Sequence, residues 1–325
     1  MATQRAERLG KKAGFRSKDF TGPCFPVAAD ACICSRGCPT TACPRCKNTS
    51  GMGLGTWGCK RSFLCDQAST APPGGWQPRT RVTLLAFLTF RAAYVRNIFA
   101  KKPQRAYWRE VKRIAHLAST VRSVGSRLPF HCVVAGDRDG NQTEGERYLE
   151  TYGVRMLNGT FLEPPRWASK WHKQSFNKLG ALAMTQFDKV IVLDNDVVLV
   201  KSLDELAFAE TPAAVFHTAI PRLDRCTVTT GLMVLTPDLG EYRRGLTYMY
   251  EVMNYSVSRA DGGDQEFWHS FLPAMYELPI RYHTHVRLAM NASDWLRVHM
   301  VHAISQFAGR GWHIPKNVTR LLRYF

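Results

Sequence analysis

Two carboxylates interrupt an apolar segment that otherwise has the composition of a buried β-strand. The segment VIVLDNDVVLV, residues 190–200, carries Asp194 and Asp196 two positions apart. Strands covered on both faces are nearly continuous runs of Val, Ile and Leu, and an ionised Asp within one is costly unless it is paired or metal-bound. If the strand ends there, both carboxylates can converge on one hard divalent ion. Alternatively, the aspartates cap the turn after the strand.

A second polar motif, Asp261-Gly-Gly-Asp264-Gln265, follows an amphipathic segment. Its glycines permit a tight backbone turn, and Asp264 and Gln265 stand where the N-cap and first-turn residues of a helix are found. Between the two motifs, the segment from Thr229 to Leu235 predicts an apolar strand led by Gly231, where a ligand can approach the main chain. The preceding amphipathic segment carries four apolar residues at helical spacing: Tyr242, Leu246, Met249 and Met253.

Taken in chain order, these motifs resemble those of the glycogenin-like retaining glycosyltransferases of family 8. The resemblance spans about residues 81 to 313 and begins at Leu88-Thr89-Phe-Arg-Ala-Ala-Tyr94, where the family holds the nucleotide base. It continues through a segment bearing Lys178 into the Asp194 strand, and then through Thr230-Gly231 and Asp264-Gln265. It implies a Rossmann-like GT-A fold, which is an α/β fold with a mostly parallel central sheet flanked by helices. It also implies a nucleotide-sugar donor and one metal site with the DxD motif.

The resemblance also assigns roles to single residues. It implies that Mn²⁺, or Mg²⁺ in its place, is held by Asp194, Asp196 and His302. Asp264 is a candidate nucleophile, or a base toward the acceptor hydroxyl, and Gln265 is a candidate for stabilising an oxocarbenium-like centre. Lys178 or Arg310 would add a second positive contact to the diphosphate. By analogy with the family we favour attack on the same face as departure, with the leaving phosphate taking the acceptor proton. The implied contacts to the donor are Leu88, Thr89, Tyr94, Asn195, Gly231 and Arg310.

The last family element differs in this chain. The family follows its metal-binding His within a few residues by Gly, Lys and Pro-Trp, whereas here His302 is followed at wider spacing by Gly309, Arg310 and Trp312, without a lysine. Arg310 is the natural substitute, although a guanidinium clamps phosphate in bidentate fashion and an ammonium acts as a point charge. Three further departures bear on donor preference more than on the fold: Phe90, Arg91 and Thr229.

From residue 81 onward, strand and helix patterns alternate as in an α/β protein. The patterns predict strands over Val82–Thr89, Phe130–Ala135 and Tyr152–Leu157, with a ligand at the carboxyl ends of a mostly parallel sheet. They predict a helix over about residues 105 to 124, with a core face of Tyr107, Val111, Ile114, Ala118 and Val121. A second helix, before the DxD strand, would have the core face Phe176, Leu179, Ala183 and Phe187.

Residues 1–80 differ from the transferase domain that we predict over residues 81–325. Eight of the ten cysteines lie between Cys24 and Cys65, and Cys43-Pro-Arg-Cys46 is the only clean CxxC pair. Disulfides, zinc ligation and poor order are all compatible with this spacing, and we expect a basic, poorly ordered extension. A Pro- and Gly-rich linker, residues 71–78, ends it.

Charge and hydropathy limit the partners. The chain has 44 Lys and Arg against 26 Asp and Glu, a formal net charge of +18, which suits a diphosphate donor, an acidic polysaccharide or an anionic membrane. No nucleic-acid recognition motif is present, so we expect no nucleic-acid partner. No run approaches the roughly 20 apolar residues of a membrane span, and no secretory signal is visible. Six glycosylation sequons leave the compartment open between the Golgi lumen and the cytoplasm.

The sequence thus favours a metal-dependent retaining glycosyltransferase that moves a hexosyl or pentosyl group from a UDP-sugar to an unidentified glycan, protein or small-molecule acceptor. One alternative is a two-metal hydrolase built on Asp194, Asp196 and Asp264, although it lacks the extra His and Asp ligands that such sites recruit. The other is a zinc-dependent binding module formed by the cysteine region, with an inactive transferase domain.

Overall fold

The computed structural model describes residues 59–61, 64, 81–91, 94, 103–137, 140–169, 172–218, 226–253, 263–272, 274–285, 290–303 and 314–324. The strands are β1 Cys59–Arg61, β2 Val82–Phe90, β3 Phe130–Gly136, β4 Arg155–Asn158, β5 Lys189–Leu193, β6 Val197–Leu199, β7 Ala213–Thr218, β8 Cys226–Leu235, β9 Met275–Leu278, β10 Thr284–His285 and β11 Met300–His302. The α-helices are α1 Pro103–Ser123, α2 Gly140–Thr151, α3 Leu239–Thr247, α4 Asp264–Phe271, α5 Ala292–Trp295 and α6 Lys316–Leu322. Short 3₁₀ helices span Ser175–Ala183, Asp204–Phe208 and Ile280–Tyr282, and a π-helical turn spans Tyr248–Val252.

The larger sheet has the strand order β1-β9-β7-β8-β5-β2-β3-β4. β8 is antiparallel to both of its neighbours, and every other neighbouring pair in this sheet is parallel. The first four strands after residue 81 stand in the order third, second, first, fourth, which is the order of the first four strands of a Rossmann sheet. The predicted α/β class with a mostly parallel central sheet is therefore confirmed.

The sheet carries apolar core on both faces, and β2 shows why. All nine of its residues are buried. Because side chains alternate along a strand, Leu84, Ala86 and Leu88 join the core beneath α1, whereas Leu85 and Phe87 join the core on the opposite face. The long helix α1 buries all five residues predicted for its core face. A strand enclosed in this way has no polar side along its length, so polar chemistry is confined to its ends.

Several predicted elements are corrected in detail. The helix before the DxD strand is a 3₁₀ helix that ends at Ala183, so Phe187 lies beyond it. The third strand begins at Arg155, because Tyr152 lies in the turn that ends α2. Gly231 lies inside β8 and does not lead it. Asp264 is the first residue of α4 and not its N-cap, which is Gly263.

A small second sheet, β10-β11-β6, lies beside the end of β5 and completes the region around the DxD motif. β6 continues the chain directly after Asp196 and pairs antiparallel with β11, which places His302 opposite Val197. β10 pairs parallel with β11, which places His285 opposite His302. The small sheet therefore brings two distant histidine-bearing segments to the carboxyl end of β5.

The N-terminal region contacts the sheet through a short segment. β1 pairs with β9 at the sheet edge, and the carbonyl of the buried Leu64 accepts a hydrogen bond of 3.3 Å from Arg281. The other residues of 1–80, including the CxxC pair, lie outside the described residues. Among the helices of the described part of the chain, none combines the length and apolarity needed to cross a membrane.

Candidate active site

The DxD motif forms a turn at the carboxyl end of β5, where the sequence predicts the strand to end. The backbone fixes this turn from three sides. The Asp194 amide donates to Gly231 O at 3.0 Å, and the Ala303 amide donates to Asp196 O at 2.8 Å. Between them, the Asn195 side-chain amide donates to Phe87 O at 2.9 Å. The two carboxylates therefore stand on a turn that is tied to β2, β8 and the end of β11.

Lys178 joins the DxD motif to the second motif. Its ammonium lies 2.5 Å from a carboxylate oxygen of Asp194 and 2.9 Å from one of Asp264, and it also donates to Thr230 O at 3.2 Å. Both Lys178 and Asp264 are buried. Burial alone would lower the pKa of Lys178, but the two carboxylates outweigh it and the pKa is raised, so Lys178 stays a cation. Three motifs that are far apart in the chain therefore meet at one ammonium group.

His302 stands on the other side of the DxD turn. Its Nε2 is 3.0 Å from Asp196 Oδ1 and 4.0 Å from Asp194 Oδ2. Burial alone would lower the pKa of His302, but the Asp196 carboxylate outweighs it and the pKa is raised. Donor atoms of Asp194, Asp196 and His302 all lie within 4.8 Å of one another, and His302 Nδ1 is buried without a hydrogen-bond partner among the described residues. Two carboxylates and one imidazole suit Mn²⁺, so the predicted ligands fit the metal that the resemblance implies.

Negative charge exceeds positive charge in this cluster. Burial, followed by repulsion from Asp196, raises the pKa of Asp194, although Lys178 opposes both. The pKa of Asp196 is lowered, because His302 beside it outweighs the effect of burial. Asp194 and Asp264 share the Lys178 ammonium and Asp196 pairs with His302. When His302 is neutral, three carboxylates face one lysine, and a divalent cation would balance the remaining charge.

Two histidines that sequence analysis missed complete the cluster. His283 and His285 belong with His302 to a second group whose donor atoms lie within 4.8 Å of one another. A Cβ added at Gly231 would lie 2.2 Å from His283 Nε2, so the missing side chain makes room for this imidazole. His283 and His285 are therefore candidate ligands that the sequence argument against a two-metal hydrolase left out. The pattern His-Thr-His was the available signal, because alternate residues of a strand share one face.

The predicted base-binding segment lies at the end of β2. Leu88 is 1% exposed and packs in the core, which leaves only its backbone for a nucleotide. Thr89 Oγ1 is buried and has no hydrogen-bond partner within the described ranges. Tyr94 stacks on Phe161 with ring centroids 6.1 Å apart and hydrogen-bonds Glu163. Thr89 and Tyr94 thus offer a polar atom and an aromatic face beside the carboxyl end of the sheet.

The remaining predicted residues have mixed outcomes. Gln265 lies half-buried in the first turn of α4, next to Asp264. Of the departures from the family pattern, Phe90 packs against Tyr107 in the core, and Arg91 lies over the Phe161 ring at 4.1 Å. Predictions for four positions lie outside the described residues: Asp261, Gly309, Arg310 and Trp312.

Comparisons with known proteins connect part of this chain to sugar transfer. A family described as "Mannosyltransferase putative" matches residues 106–212, a range that includes Lys178, Asp194 and Asp196. The Arabidopsis thaliana protein named "Putative glucuronosyltransferase PGSIP7" is 33% identical over 108 residues, which are 33% of this chain and 20% of that protein. Inositol phosphorylceramide glucuronosyltransferase 1 of the same plant is 23% identical over 217 residues, 57% of this chain and 37% of that protein.

Solved structures give a more distant likeness. The galactosyltransferase LgtC, in complex with donor and acceptor sugar analogs, has a TM-score of 0.47 and 16% identity, and the alignment covers 74% of this chain and 95% of LgtC. Among the sequence relatives, this chain spans 20% of the length of the Arabidopsis protein PGSIP7. The sequence matches agree on glycosyltransferases as the class of protein that this chain resembles. The narrower resemblance to the glycogenin-like family 8 stays a prediction.

Proposed function

We propose that this chain is a metal-dependent retaining glycosyltransferase, which moves a hexosyl or pentosyl group from a UDP-sugar to an acceptor. The observation that carries the proposal is the convergence on Lys178: its ammonium contacts the DxD carboxylate Asp194 and the Asp264 carboxylate, whereas His302 contacts Asp196. This cluster lies at the carboxyl ends of the parallel strands, where α/β sheets bind their ligands. The similarity of residues 106–212 to glycosyltransferases supports the same conclusion.

The proposed reaction breaks the bond between the anomeric carbon and the diphosphate oxygen and forms a bond from that carbon to the acceptor oxygen on the same face. The acceptor proton passes to the departing phosphate oxygen. A divalent ion, Mn²⁺ in our proposal, held by Asp194, Asp196 and His302, would act as a Lewis acid toward the charge on the leaving group. Lys178 supplies a fixed positive charge beside it, and burial strengthens that interaction.

Asp264 holds Lys178 in place from the first turn of α4, and Gln265 extends the same turn. The half-buried Gln265 amide is our candidate for stabilising positive charge at the anomeric carbon. Thr89, Tyr94 and the backbone of Leu88 are our candidates for the nucleotide. These roles rest on position in the site together with the family resemblance.

The test of this assignment is the variant Asp264→Asn. We expect transfer to fall by at least about 100-fold, the low end of what a positioned acid–base or electrostatic group contributes, with UDP binding by calorimetry retained. Glu266→Gln is the matched control, because Glu266 is a carboxylate in the same first turn of α4. Unchanged turnover in Asp264→Asn would remove Asp264 from the mechanism. UDP-sugar consumption that is equally fast without any acceptor would favour the hydrolase alternative.

A further inference from the structure

Three imidazoles form a nearly equilateral triangle beside the DxD turn. The ring centroids of His283 and His285 are 5.0 Å apart, those of His283 and His302 are 5.0 Å apart, and those of His285 and His302 are 5.1 Å apart. His283 and His302 are buried and His285 is half-buried. The triangle therefore has two enclosed corners and one corner that is open to solvent.

The backbone dictates this arrangement. His283 immediately precedes β10 and His285 is the second residue of that strand, and alternate residues of an extended segment project to one face. His285 is in register with His302 across the parallel β10–β11 pair, so these two side chains are also neighbours on one face. The absent side chain of Gly231 leaves room for the His283 ring. Strand register, alternation and one glycine thus combine to gather the three rings.

The donor chemistry of the triangle differs from that of the DxD position. One nitrogen from each ring lies within 4.8 Å of the other two. Zinc binds His nitrogen at about 2.0–2.1 Å, so a tetrahedral site needs nitrogens roughly 3.4 Å apart, and small side-chain rotations can close that gap. Three imidazoles favour a borderline transition ion, whereas carboxylate-rich sites suit Mn²⁺ and Mg²⁺.

We propose that His283, His285 and His302 form a second metal position that prefers a Zn²⁺-like ion and overlaps the carboxylate position at His302. Because both positions use His302, an ion in one withdraws that ligand from the other. Zn²⁺ should therefore compete with Mn²⁺ for this chain. The inference goes beyond the proposed transfer reaction, since ion binding at the triangle requires neither a UDP-sugar nor an acceptor.

The experiment measures Zn²⁺ bound per full-length chain by equilibrium dialysis, without nucleotide, after removal of metals with a chelator. Wild type is compared with His285→Ala, His283→Ala, Asp196→Ala and the control His116→Ala, which removes a half-buried histidine of α1. Any zinc bound by the N-terminal cysteines is common to all five proteins. We expect one Zn²⁺ fewer, or at least a tenfold weaker site, in His285→Ala and His283→Ala. His116→Ala should match wild type, and Asp196→Ala, which removes a contact of His302 but no ring of the triangle, should still bind the ion.

A second measurement follows free Mn²⁺ by its electron paramagnetic resonance signal. Zn²⁺ should release bound Mn²⁺ from wild type at an at least tenfold lower concentration than from His285→Ala, where Zn²⁺ can compete only directly for the position formed by Asp194, Asp196 and His302. Thermal unfolding with chelator present checks that each variant folds, and the half-buried His285 makes its truncation the safer of the two histidine changes. Equal Zn²⁺ binding in wild type and a folded His285→Ala would overturn the proposal, as would loss of the zinc in Asp196→Ala alone. Neither result depends on sugar transfer, so the zinc position can be refuted while the proposed transferase function stands, and the reverse is also true.

Discussion

Replacing Lys178 with methionine tests the cluster most severely. The ammonium lies 2.5 Å from Asp194 and 2.9 Å from Asp264, and Lys178→Met keeps most of the side-chain volume while removing the charge. The half-buried Asp194 and the buried Asp264 would then lose the cation that they share. Removing one partner of a buried ion pair costs about 3–5 kcal/mol, so we expect the free energy of unfolding in chelator to fall by about that amount.

A divalent ion should restore part of this loss. An ion that binds only the folded chain adds about 2.7 kcal/mol at 100 times its dissociation constant, and in Lys178→Met it also replaces the missing positive charge. We therefore expect Mn²⁺ to stabilise the variant by more than it stabilises the wild type. Urea unfolding followed by tryptophan fluorescence, with EDTA or with Mn²⁺, measures both effects.

Lys189→Met is the matched control for this comparison. Lys189 is half-buried, and its ammonium donates to two backbone carbonyls, Ala207 O and Ala209 O, both at 2.7 Å. Lys189→Met should lower the free energy of unfolding by the same amount in EDTA and in Mn²⁺. Unaltered stability of Lys178→Met in EDTA, or a loss that Mn²⁺ does not reduce, would refute the charge balance described for the site.

Two further predictions concern single positions. Gly231→Ala should lower the free energy of unfolding by about 1–3 kcal/mol and weaken Zn²⁺ binding, because the new Cβ would lie 2.2 Å from His283 Nε2. If the variant has wild-type stability and wild-type zinc affinity, then Gly231 is not needed to make room for the His283 ring. Burial lowers the pKa of His131 in the folded chain, so as the pH falls below about 6.5 the unfolded chain binds a proton at this residue before the folded chain does. The free energy of unfolding should therefore decrease with falling pH, and His131 contributes at most about 1.4 kcal/mol per pH unit to this decrease. His131→Asn should flatten the pH dependence of urea unfolding, and an equally steep dependence would exclude His131 as a source.

Sequence analysis identified the site residues whose polarity is unexpected for their surroundings in the chain. Asp194 and Asp196 stand out because they follow an apolar run that tolerates no charge, and β5 does end at Leu193. Continuous apolar runs also predicted β2 and β3 closely, since strands covered on both faces have few polar positions. No local rule predicts that Asp194 and Asp264, 70 residues apart, both contact the Lys178 ammonium, and the structure shows that they do.

Other features depended on contacts between distant segments. His283 immediately precedes β10 and His285 ends it, and this two-residue strand is defined by its pairing with β11. The His-Thr-His pattern alone could not show that the two rings would lie beside His302. The segment before β5 was predicted as an ordinary helix. Its buried Phe176, Leu179 and Leu182 recur at every third position, which is the spacing of the 3₁₀ helix that forms.

The most direct test of the proposed function is Mn²⁺-dependent release of UDP from a panel of UDP-sugars by the purified chain. Asp196→Ala and EDTA serve as the two controls, because Asp196 bonds His302 in the cluster. We predict release from a preferred donor that both controls abolish, and this result would also identify the sugar. Release that persists in Asp196→Ala, or absence of both turnover and UDP binding by calorimetry in the presence of Mn²⁺, would contradict the assignment of this cluster to sugar transfer.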